Sequence, residues 1–137
     1  MNVYVLIVDA DSMAAEVTGA FVRRIAPDAT VLIERSPEEA WRAWQHCLPD
    51  VLMIDPAPHG PTSLQLIQVF KQARPDARVI VLASTPTPGL RQIVQAQNVD
   101  AYVEKPARLS LVMEQLRPIF QQREPEYAVY AEAHAIA

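Results

Sequence analysis

Five short apolar runs alternate along this chain with segments whose apolar residues recur every three or four positions. The runs are Val3–Val8, Ala29–Ile33, Val51–Ile54 ending on Asp55, Arg78–Ala83 and Ala101–Glu104. Each is short and closed by turn or capping residues, so each predicts a strand, the central ones buried on both faces as in a parallel sheet.

The intervening segments predict helices. The first runs from about Ser12 to Ile25, capped by Asp11 or Ser12, with Val17, Phe21 and Ile25 as its inward stripe and Pro27 as its stop. Ser36-Pro37-Glu38-Glu39 opens the second, with a serine cap, proline at the first position and glutamate at the third. It carries Ala40, Trp41, Trp44 and Cys47 and ends before Pro49. A rigid loop from Pro56 to Pro61 precedes a third helix with Leu66, Ile67 and Phe70 inward and Pro75 beyond its end. Leu90, Ile93 and Val94 mark a short fourth helix, with Gln92, Gln95 and Gln97 on its exposed face. A fifth is expected from about Leu109 to Phe120, kinked or ended by Pro118.

Five alternations of strand and helix with short connections predict an α/β fold: a doubly wound parallel sheet with right-handed crossovers and helices on both faces. Five strands favour the order 2-1-3-4-5, which sets strands one and three side by side at the switch point. The domain is expected to span residues 1–121. Residues 122–137 form a tail in which Tyr127, Tyr130 and His134 make a weak helical stripe, fit to dock on the domain or on a second subunit.

Composition narrows the function little but excludes several classes. A chain of 137 residues, half hydrophobic and one-fifth charged, suits one globular domain. Its net charge of −4 argues against nucleic acid as a partner. No apolar stretch reaches membrane-spanning length, and the N-terminal run meets Asp9 too soon for a signal peptide. One cysteine permits no internal disulfide, as suits a reducing cytoplasm. Three glycines leave no phosphate-binding glycine loop, which weakens a small-molecule-binding or hydrolase reading.

The chemistry lies at the strand ends. Asp9, with Asp11 just beyond, Asp55 and Lys105 each follow a strand, and in this topology they meet in one crevice. Close carboxylates invite a hard divalent cation such as Mg²⁺, and such a cation with a lysine beside it can hold a phosphoryl group. The central carboxylate can then act as the nucleophile and form an acyl phosphate. His59 and His46 read as solvated surface residues and Cys47 as a buried small hydrophobe. One of Trp41 and Trp44 is expected on the sheet and the other on a partner surface.

The segments VLIVDAD, VLMID, VIVLAS and AYVEKP, in this order and spacing, resemble the response-regulator receiver domain over about residues 3–121. The resemblance implies a flavodoxin-like (βα)5 fold with Asp55 as phosphoacceptor and Lys105 as the conserved lysine, followed by a proline the family usually keeps in cis. Asp9 becomes the first acid of a metal-binding pair and Tyr102 the aromatic switch residue. It also implies a histidine kinase or phosphotransfer protein as donor, a downstream protein target, and no enzymatic turnover. With no output domain after residue 121, the expectation is a stand-alone module.

Departures from the pattern are specific. Ala10 stands where the second acid, a direct metal ligand, would be, and leaves Asp11 as candidate. The switch hydroxyl falls on Ala83, with Ser84 one place late. Pro56 has no N–H to give the phosphoryl group, and Ala57 lies between two prolines. Each missing charge-assisted bond costs about 1.5–3 kcal/mol. Weak Mg²⁺ binding and a shallow phosphorylated state are therefore expected. The competing reading is a phosphorylation-independent pseudo-receiver that acts as a constitutive interaction or dimerisation module.

Overall fold

The computed structural model describes residues 3–105 together with Arg117, Pro118 and Phe120. The helix expected after Leu109 and the tail lie outside the described residues, apart from those three positions. The elements are β1 (Tyr4–Val8), α1 (Ser12–Ile25), β2 (Thr30–Glu34), α2 (Pro37–Trp44), β3 (Val51–Ile54), α3 (Gly60–Ala73), β4 (Arg78–Ala83), α4 (Pro88–Ala96) and β5 (Ala101–Glu104).

All four strand pairings are parallel and the sheet order is β2-β1-β3-β4-β5, as the alternation predicts. Side chains along each strand alternate between two cores, because successive Cβ atoms point to opposite faces. Val5, Ile7 and Met53 pack on the α1 side with Val22, and Phe120 joins them. Leu6, Leu52 and Val81 pack on the other side with Trp44, Phe70 and Val94. β3 is fully buried along its length, as its unbroken apolar run requires.

Local signals set the helix starts. Asp11 caps α1 by accepting from the N–H groups of Met13 and Ala14. Ser36 caps α2 by accepting from Glu39 N–H at 3.2 Å, and Glu39 reaches back to the N–H of Arg35 rather than of Ser36. Pro61 belongs to the first turn of α3 instead of closing the preceding loop, since proline costs no hydrogen bond there. After α4, Asn98 takes a φ of 60°, a left-handed turn that asparagine tolerates.

Three expectations need correction. The inward face of α1 is Ala15, Thr18, Phe21 and Val22, whereas Val17 is 51% exposed. Small Ala15 and Gly19 let this face approach the sheet, which turns Val17 outward, while Phe21 stays buried and Ile25 packs half-buried against the core. Cys47 is exposed, because α2 stops at Trp44 and a turn from Ala43 to His46 carries the chain off the helix. Gln97 is half-buried at the end of α4, where its amide donates to the Leu64 carbonyl at 3.1 Å.

At the opposite edge of the sheet two aspartates join strand starts. Asp50 accepts from the N–H of Tyr4 and from Arg74, and Asp100 from the N–H of Val79 and from Arg78.

Candidate functional site

The carboxyl ends of β1 and β3 lie side by side because the two strands pair with Val8 opposite Ile54. Asp9 and Asp55 are the next residues on each, and Asp55 N–H donates to the Val8 carbonyl at 2.9 Å. β4 and β5 continue the ladder, and Lys105 N–H donates to the Ala83 carbonyl at 2.7 Å. Three strand ends thus place two carboxylates and one ammonium in one crevice.

Lys105 Nζ donates to Asp9 Oδ2 at 2.7 Å and to Asp55 Oδ2 at 3.2 Å. Both acids are buried, 4% and 6% exposed, so the shared cation is their charge balance. Burial pulls the Lys105 pKa down, but the hydrogen bond that it donates to Asp9 and the charges of both acids outweigh it and raise the pKa above its usual value.

The remaining carboxylate oxygens are also engaged. Asp9 Oδ1 accepts from the N–H of Asp11 at 2.9 Å. Asp55 Oδ1 accepts from Ala57 N–H at 3.1 Å and from Ser84 N–H at 3.3 Å. Pro56 gives no donor, and the amide one residue on turns back to fill that role on Asp55 itself. The Pro56 carbonyl accepts from the buried Ser63 hydroxyl at 3.3 Å, and the Ala57–Pro58 bond is cis. Pro106, and with it the bond expected to be cis, lies outside the described residues.

Asp11 stands beside the crevice but serves α1: its Oδ1 is taken by the first-turn amides. Among the described residues no three Asp, Glu, His or Cys side chains gather as a metal site would require. Asp9 and Asp55 are then the carboxylates that would hold a divalent cation, a sparse set whose oxygens already engage Lys105 and backbone amides, which fits weak binding.

Ala83 is buried with no hydroxyl to offer, and Ser84 meets Asp55 only through its backbone. Tyr102 is half-buried. Its hydroxyl donates to Glu104 Oε2 at 3.2 Å, and its ring lies under Arg91, 5.7 Å from the guanidinium carbon. Arg91 itself pairs with Glu104 at 2.8 Å. His59 is exposed at the start of α3 with no side-chain cap bond, and His46 is exposed beyond α2.

Trp44 is buried edge-on between Trp41 and Phe70, with ring centroids 5.2 and 5.1 Å away. Trp41 is 44% exposed and lines a groove of about 430 Å³ between α2 and α3, apart from the acidic crevice.

No protein-family model matches the chain, and no curated protein matches it. Solved structures do. A CheY-like receiver domain protein from Methanospirillum hungatei JF-1 superposes with a TM-score of 0.79 at 17% identity, over 92% of this chain and 99% of that one. The receiver domain of a DNA-binding response regulator from Colwellia psychrerythraea 34H gives 0.77 at 21% identity, over 87% and 98%. The BeF3-activated DrrB receiver domain gives 0.77 at 16% identity, over 88% and 99%. The fold is that of a response-regulator receiver domain. On this receiver fold Asp55, Asp9 and Lys105 occupy the strand ends that the sequence pattern assigned to them. No described helix is long and apolar enough to cross a membrane.

Sequence reasoning missed Arg35, whose Nη2 donates to the Ala10 carbonyl at 3.3 Å. No local signal marks it: the second strand is expected to end at Ile33, and only the register of β1 on β2 sets Arg35 beside the β1–α1 loop.

Proposed function

We propose that the protein is a receiver module of two-component or phosphorelay signalling, with Asp55 as its phosphoryl acceptor. The observation that carries this reading is Lys105 Nζ bridging Asp9 and Asp55 from a third strand end. A histidine kinase or phosphotransfer protein would present a phosphohistidine to the crevice. An Asp55 carboxylate oxygen forms the new P–O bond as the P–N bond breaks, and the imidazole nitrogen keeps the electron pair. Lys105 stabilises the charge that gathers on the phosphoryl oxygens. The fold neighbours, one of them a BeF3-activated receiver domain, support this role.

The module signals by protein contact in the cytoplasm and is not an enzyme with its own substrate. Mg²⁺ is at most a weak ligand, and no step is assigned to it.

A phosphorylation-independent module is the second reading, and one observation favours it. Asp55 Oδ1 is already held by two amides of its own chain, and neither Ala83 nor Pro56 adds a donor for a phosphoryl group. Intact mass after incubation with acetyl phosphate separates the two. One phosphoryl group on the wild type and none on Asp55→Asn is the expected result. An unlabelled wild type, with and without Mg²⁺, would leave the second reading standing.

A further inference from the structure

Arg35 leaves β2 at the level at which Asp9 leaves β1. The parallel register pairs Val8 with Glu34, and Asp9 N–H donates to the Glu34 carbonyl at 3.0 Å. From there the Arg35 guanidinium crosses to the β1–α1 loop and donates to the Ala10 carbonyl at 3.3 Å. Ala10 is the position at which the receiver pattern places a second acid. This rim therefore carries a cation where the pattern carries an anion.

The guanidinium makes no ion pair with any described residue. The nearby acid, Glu39, accepts from the Arg35 backbone N–H and not from its side chain. At the crevice Asp9 and Asp55 share the single ammonium of Lys105, so the guanidinium of Arg35 at the rim is a second cation available to an incoming anion.

We propose that Arg35 takes the place of the divalent cation and, with Lys105, clamps a phosphoryl oxyanion over Asp55 without metal. This rests on reading Asp55 as the acceptor. A guanidinium offers several donors in one plane, a geometry that matches phosphoryl oxygens. Arg35 is exposed, so its side chain is free to exchange a neutral carbonyl for a charged oxygen, which is the stronger acceptor. With acetyl phosphate as donor, an Asp55 oxygen bonds to phosphorus as the bond to the acetate oxygen breaks. Acetate leaves with the electron pair, and no proton needs to move.

The test is the rate of mass labelling of the full chain by acetyl phosphate in EDTA, for wild type, Arg35→Gln, Arg35→Lys and Asp55→Asn. Wild type should label in EDTA at nearly its rate in Mg²⁺. Arg35→Gln should slow labelling by about tenfold or more, as loss of one oxyanion donor does elsewhere. Its melting temperature should not change, and Arg35→Lys should recover part of the rate. Labelling that requires Mg²⁺, or Arg35→Gln at the wild-type rate, would overturn the role of Arg35 and leave Asp55 as acceptor. No label on any variant with or without Mg²⁺ would overturn both.

Discussion

Lys105 is held more closely by Asp9, at 2.7 Å, than by Asp55, at 3.2 Å. The acid beside the acceptor is therefore the main anchor of the lysine. Lys105 has a raised pKa, so its stabilising contribution is complete below its unfolded value of 10.5 and is lost as pH rises past it. Tyr4 and Tyr102, whose pKa values burial raises from 10.0, lose stability in the same direction. Lys105→Met separates the effects. It should cost about 3 kcal/mol at neutral pH by leaving two buried carboxylates uncompensated. It should also lose less than wild type above pH 10.5. Urea midpoints across the pH range check this, and parallel pH profiles would contradict it.

Ala10→Asp should raise Mg²⁺ affinity by about tenfold, or about 1.4 kcal/mol, by adding the missing oxygen ligand. Titration of amide shifts or tryptophan fluorescence with Mg²⁺ measures it. Unchanged affinity would mean that Asp11 already serves as a ligand.

Asp11→Ala should destabilise the fold by about 0.5–2 kcal/mol, the usual cost of losing an N-cap. Mg²⁺ titration of this variant should match wild type, since the Asp11 carboxylate is bound to the first turn of α1. A stable variant with weakened Mg²⁺ binding would reverse the assignment.

Trp44→Ala should cost about 3–5 kcal/mol, because it opens a cavity between Trp41 and Phe70. Trp41→Ala, at a half-exposed ring, should cost less than about 1 kcal/mol. Chemical denaturation of the two variants gives the comparison, and equal losses would mean that both indoles are core.

The sequence by itself determined the five strands, their order and the placing of Asp9, Asp55 and Lys105 at strand ends. Those signals are local: unbroken apolar runs, Ser36-Pro37 at a helix start, prolines after helix ends, and a polar residue directly after each strand. Only the tertiary structure decided which way the side chains face. Val17 and Val22 are equally apolar in sequence, and the close approach of Ala15 and Gly19 to the sheet buries one and exposes the other. Asp11 reads as a cap or as a ligand until the turn after Asp9 directs its carboxylate to Met13 and Ala14. Arg35 and Ala10 are 25 positions apart, and nothing local links them. The register of β1 on β2 brings them together, because a parallel pairing aligns residues that the chain itself keeps apart.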